Sequence, residues 1–189
     1  MHMKTVIRLT SLAAIAIASS LSAQKPTAKE PASKSAGAAP FTEPTVVAIF
    51  DVANTWDMET GALAAKKGTT KDIRDFGQML VNDHQTVRQQ GRDLAKELHV
   101  TPTPPKTELD LAKDHAATMK RLESLKGPAF DRAFLEHEVE YHRAVLDVTT
   151  AALLPSIHTK QLQDFVNKVA PAFNGHMVAA QTKLDKLPK

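Results

Sequence analysis

Four stretches of this chain repeat apolar residues at alternating spacings of four and three, the period of an α-helix with one buried face. The second stretch, Thr69 to Leu98, shows it best: Ile73, Gly77, Leu80, His84, Val87, Gly91, Leu94 and Leu98 follow in that rhythm. At its middle, where a core helix carries Leu, stands His84. Burying an imidazole without a partner costs about 1–3 kcal/mol, so the core has to bond its ring nitrogens.

The remaining helices follow from the same rhythm. Helix one is expected from Glu43 to Lys67, capped by Thr42 with Pro44 in its first turn, with Val46, Phe50, Ala53, Asp57, Thr60 and Ala64 on its stripe. Gly68 ends it, and Thr69 with Asp72 makes a capping box for helix two. The Pro-rich run Thr101 to Pro105 closes helix two. A weaker amphipathic segment, Thr107 to Leu125, follows with Leu109, Ala112, Ala116, Met119 and Leu122 on one face. At about 1.5 Å per residue it spans about 28 Å, the length of a return leg along a bundle. Helix three runs from Pro128 to Leu154, where Pro155 breaks it, and carries Leu135, Glu138, His142, Val145, Thr149 and Ala152 in register. Helix four, Thr159 to Leu187, carries Leu162, Val166, Val169, Phe173, His176, Ala180 and Leu184, with Pro171 expected to kink it. The fold class is all-α.

At 189 residues the chain holds one domain and some non-globular sequence. Residues 1–23 read as a signal peptide: Lys4 and Arg8 form a basic start, Leu9 to Leu21 is apolar, and Ser22 with Ala23 offers the cleavage site. That apolar run is shorter than the roughly 20 residues that span a bilayer, so no transmembrane segment is expected in the mature chain. Residues 24–41 are a Pro, Ala, Lys and Ser linker without apolar period, and residues 42–187 form the helical domain. The expected location is periplasmic or secreted. With no Cys, disulfides, thiolate metal sites, cysteine nucleophiles and a lipoprotein anchor are excluded. Lys4 and Arg8 carry two of the three net positive charges, and the remaining charges are mixed, so no nucleic-acid groove is indicated.

Each long helix places one ligand-type residue on its buried stripe near its midpoint: Asp57, His84, His142 and His176. In helices of similar length packed side by side, these four stand within roughly 5 Å of one level along the axis. Three imidazoles and a carboxylate in an apolar core suit one transition metal ion, Zn, Fe, Cu or Mn. Glu138, one turn before His142, is a fifth ligand or an acceptor behind the ligands. Asp83 and Tyr141 flank the stripe and are placed to orient imidazoles of neighbouring helices, and Trp56 to wall the site. The other histidines, His99, His115, His137 and His158, fall at helix ends or beside polar neighbours and read as solvated. No phosphate loop or nucleophile elbow occurs.

The stretches DMETGALA, FGQMLVNDHQTV, GPAFDRAFLEHEVEYHRAV and VAPAFNGHMVAAQ resemble the DUF4142 family, secreted bacterial ferritin-like proteins often labelled outer-membrane proteins. The resemblance covers about Phe41 to Leu187. It implies that the Asp83–His84 pair, His142 and His176 are the family's signature polar positions, that Glu is usual where Asp57 stands, and that the setting is periplasmic or cell-envelope. It also implies a ferritin-like four-helix bundle, in which an extra helix in the crossover makes helices two and three parallel. The resemblance carries no activity. Di-iron carboxylate bundles place a Glu three residues before a His on two helices, but Val139 and Phe173 hold those places here. A single His-rich ion is therefore expected rather than a di-iron pair.

Two readings remain beside the metal-binding bundle. One is a metal-free structural or partner-binding envelope bundle, destabilised as its buried His/Asp cluster protonates below about pH 6. The other is an enzyme with an open metal position, which requires a pocket reaching solvent near Trp56 or Pro171. The partner is left open between an envelope protein and a second copy of the chain.

Overall fold

A computed structural model describes residues 41–106 and 108–188. The leader, the linker up to residue 40 and Thr107 lie outside the described residues. Five α-helices, and no strand, occur among the described residues: α1 (Glu43–Lys67), α2 (Lys71–Glu97), α3 (Glu108–Ser124), α4 (Gly127–Val148) and α5 (Lys160–Asp185). None is long and apolar enough to cross a membrane.

The start of α1 is the one expected. Thr42 caps it through the Thr45 amide, and Pro44 sits in the first turn, where no intrahelical donor is lost. The start of α2 differs by one residue. Thr70, not Thr69, is the N-cap, accepting from the Ile73 amide at 3.2 Å. Thr69 turns away to Asp131 of α4, donating both its amide and its hydroxyl to that carboxylate. Asp131 is almost fully buried, so a residue of α4 fastens the turn between α1 and α2.

Hydrogen bonds at the helix ends fix the directions. Lys67, at the end of α1, bonds carbonyls at the end of α3, and Asp131 opens α4 at that same level. At the other level Glu43 accepts from the His158 and Thr159 amides that precede α5, and the Phe41 amide donates to Ser156. Lys183 then returns α5 to Asp72 at the start of α2. Thus α2 and α4 run parallel, with α3 as the return leg between them. The tightest pairing is α1 with α2, then α4 with α5, while α3 touches only α1 and α4 appreciably.

Two apolar clusters stand at opposite ends. One gathers Ile73, Phe76, Leu80, Phe130 and Phe134, the other Val46, Phe50, Val166, Val169 and Phe173. Along α1, α2, α4 and α5 alike, the buried polar residues of the middle turns fall between these two clusters, while Asp131 lies at the start of α4 within the first.

Two expectations are corrected. The α-helical part of α4 stops at Val148 and continues as a π-helical turn, Thr149–Leu153, and a 3₁₀ turn, Leu154–Ser156. Pro155 has no amide hydrogen for the Ala151 carbonyl, and the widened turn lets the Leu154 amide reach back to Thr149. On α3, Leu122 is buried and Ala112 and Met119 are half-buried as expected, but Ala116 is exposed, and His115 and Thr118 also face inward, lining a cavity. Pro171 lies inside α5, which spans Lys160–Asp185 as one helix, close to the expected bounds.

Candidate metal centre

Asp57 of α1, His84 of α2, Glu138 and His142 of α4, and His176 of α5 converge between the two apolar clusters, none more than 5 % exposed. They form two overlapping groups. His84, His142 and His176 each offer one donor atom within 4.8 Å of the others, and so do Asp57, Glu138 and His142. His142 is common to both. The expected set is thus brought together, with Glu138 inside it.

The hydrogens of the three rings are fixed by what stands behind them. His84 Nδ1 lies 2.8 Å from Asn54 Oδ1, and the Asn54 amide nitrogen is committed to the Phe50 carbonyl at 2.7 Å. The Asn54 oxygen only accepts, so Nδ1 of His84 carries the hydrogen. His142 Nδ1 donates to the Glu138 backbone carbonyl at 3.0 Å. His176 Nε2 donates to Asp83 Oδ2 at 3.0 Å, so Asp83 does orient an imidazole from a neighbouring helix.

In a neutral ring so oriented the remaining nitrogen carries only a lone pair, and in all three rings that nitrogen faces inward. His84 Nε2 stands 3.2 Å from His176 Nδ1 and 3.5 Å from Asp57 Oδ1, and His142 Nε2 stands 3.3 Å from Asp57 Oδ2. His142 Nε2, both Asp57 oxygens and Glu138 Oε2 have no hydrogen-bond partner. Two lone pairs 3.2 Å apart repel unless a proton or a cation stands between them. Donors at about 2.0–2.1 Å around a tetrahedral ion are themselves about 3.4 Å apart, which matches these separations. The donor set of imidazole nitrogens and carboxylate oxygens fits Zn, Fe, Cu or Mn.

Burial sets the protonation states. It pushes His84 down to about 2, helped by the neighbouring His142 and His176, and His142 down to about 3, helped by His176. It raises Asp57 well above the carboxylate range, and Glu138 too, where the nearby Asp57 adds to the effect and the Thr60 hydroxyl opposes it. Neutral imidazoles are the form that binds a cation, whereas the carboxyls have to release protons to do so.

This moves the pH response expected of the metal-free form. An unfolded imidazole titrates near 6.5, so below that pH the unfolded chain binds more protons than the fold, and stability falls as pH falls. Each of the two imidazoles contributes about 1.4 kcal/mol per pH unit down to its folded value. The raised carboxyls act oppositely: their contribution is present at low pH and lost as pH rises above about 4. Chelator-treated protein, followed by urea denaturation across pH, is therefore expected to change little from these groups between pH 6.5 and 4. Below pH 4 it should lose stability more steeply. A loss concentrated near pH 6 would mean that the cluster is not dry.

Several assignments change. Tyr141 orients no imidazole, since its hydroxyl donates to the Ala53 carbonyl at 2.8 Å. His115 and His137 are half-buried rather than solvated. His115 stacks on Trp56 with ring centres 5.0 Å apart and bonds Glu59 at 2.6 Å, and burial beside His115 and Arg121 pushes His137 down to about 4. His99 and His158 are exposed as expected. Trp56 does wall a cavity of about 320 Å³ that reaches Asp57, His84 and His142. Asn54 was not foreseen, although it sits on the stripe of α1 between Phe50 and Asp57 and a buried amide there needs a partner. Asn54→Leu is expected to weaken metal affinity about 10–100-fold with helicity retained, because the ring it orients is freed; competition with a chromophoric chelator measures it.

A family model described as a domain of unknown function, DUF4142, matches residues 26–182. No curated protein matches the chain, and no solved structure does.

Proposed function

The chain belongs to the DUF4142 family, and within it we propose that this protein is a metal-binding helical bundle of the cell envelope holding one transition metal ion, Zn, Fe, Cu or Mn, in its core. The observation that carries this reading is the inward convergence of lone pairs on His84, His142 and His176. Each of these rings spends its hydrogen on an outer partner, and the unpartnered Asp57 carboxyl stands beside them. His84, His142 and His176 would supply nitrogen, Asp57 oxygen, and Glu138 a further carboxylate. A bound ion would supply Lewis acidity or, for Fe, Cu or Mn, electron transfer. Asn54, Asp83 and the Glu138 carbonyl hold the rings in the tautomers that leave those nitrogens free.

The architecture is read as a ferritin-like four-helix bundle of α1, α2, α4 and α5 with α3 in the crossover, supported by the parallel run of α2 and α4. The location is read as periplasmic or secreted, supported by the basic and apolar pattern of residues 1–23. A second reading, a metal-free structural or partner-binding envelope bundle, is favoured by one observation. The raised carboxyl of Asp57, kept protonated, can donate a hydrogen bond to a facing imidazole nitrogen and leave the cluster uncharged without an ion.

Elemental analysis of the untagged protein, purified from the cell envelope beside His84→Ala, separates the two. Close to one transition metal per chain, lost in the variant, is the expected result. No metal in either protein, with full helicity, would move the reading to the metal-free bundle.

A further inference from the structure

The cavity beside the metal centre has no task in binding an ion. At about 320 Å³ it lies within the size range of small-molecule sites, and it is bounded by α1, α3, α4, the π-helical turn and Phe173 of α5. Its rings are Phe50, Trp56, Tyr141 and Phe173, beside the imidazoles already described, and its rim carries two exposed apolar side chains, Leu111 and Val148. Neither Lys nor Arg lines it, so an anion would find no countercharge there.

One polar atom in this wall is unaccounted for. Thr149 is 3 % exposed, and its hydroxyl has no hydrogen-bond partner. Helical threonines usually return the hydroxyl to the carbonyl one turn back, as Thr55, Thr86 and Thr182 do here. Thr149 opens the π-helical turn and makes no such bond, so a residue of the cavity wall keeps a buried hydroxyl without a partner. π-Helical turns are frequent at functional sites.

From the cavity, its ring-lined wall and the unpartnered Thr149 hydroxyl, we infer that this protein binds a small, mainly aromatic molecule without negative charge, whose single hydroxyl or carbonyl bonds Thr149. The site does not depend on the metal ion, although its buried end meets the ligand residues. An anion is excluded by the lining, which carries Asp114 and neither Lys nor Arg, and a large ligand by the volume.

Trp56 is the only tryptophan of the chain and lines the cavity, so its fluorescence reports occupancy. Full-length protein, both chelator-stripped and metal-loaded, is titrated with benzyl alcohol, toluene and benzoate. Saturable changes are expected with the two neutral probes and none with benzoate over the same range. In Thr149→Val the ratio of benzyl alcohol to toluene affinity should fall about fivefold, the worth of one neutral hydrogen bond. Val145→Phe, which fills part of the volume, should weaken both probes at least tenfold, with helicity checked by circular dichroism. No saturable change with the neutral probes, an unchanged ratio in Thr149→Val, or benzoate binding as tight as benzyl alcohol would overturn the inference. Failure of the metal reading would appear in the elemental analysis and leave the titration of the stripped protein intact.

Discussion

Protein stripped by a strong chelator is expected to melt about 10 °C below the metal-loaded form, and His142→Ala to abolish that gap. An ion bound at about a thousand times its dissociation constant stabilises the fold by about 4 kcal/mol. In a domain of this size each kcal/mol moves the melting temperature by about 2–4 °C. His142 is the residue to remove because it belongs to both donor groups, and its Nε2 is buried without a partner. Without it, Asp57 loses the neighbour 3.3 Å from its Oδ2, and His84 and His176 remain as a two-nitrogen site. Calorimetry of both proteins, with and without chelator, measures the effect. A wild-type melting temperature indifferent to chelator and to added ion would sink the metal reading.

Gly77→Ala should lower stability by about 3 kcal/mol and release the ion, although it adds a single methyl group to a helix. A Cβ at Gly77 would lie 2.5 Å from the Gly61 carbonyl oxygen and 2.7 Å from the Ala65 amide nitrogen. Both are backbone atoms, so the clash is relieved only by parting α1 from α2. Asn54 and Asp57 on α1 meet His84 across that contact, so parting the helices lengthens the bond that fixes the His84 tautomer. Gly175→Ala is the control: a Cβ there meets nothing within 4 Å, and the change should stabilise α5 by about 0.5–1 kcal/mol. Urea denaturation and metal content of the two variants should therefore move in opposite directions. Equal effects would mean that the α1–α2 approach is looser than these distances require.

The apolar period alone marked α1, α2, α4 and α5 to within a few residues, because a helix that buries one face must repeat its apolar residues every three or four positions. Asp57, His84, Glu138, His142 and His176 were legible for the same reason: a polar side chain on a buried stripe is costly unless it meets others. The face of α3 was legible in part: Leu122, Ala112 and Met119 turn inward as expected, and Ala116 does not. Its inner side closes a cavity with His115 and Thr118 rather than packing an apolar seam, so polar residues there do not signal exposure.

What the sequence by itself determined is the number of long helices, their buried faces and the identity of the side chains that meet. Only the tertiary structure decided how they meet. Ring tautomers depend on Asn54, Asp83 and a backbone carbonyl placed by packing, and the approach of α1 to α2 rests on two glycines from different helices. Period and composition describe each helix alone, whereas hydrogen-bond partners and close backbone contacts exist only between helices.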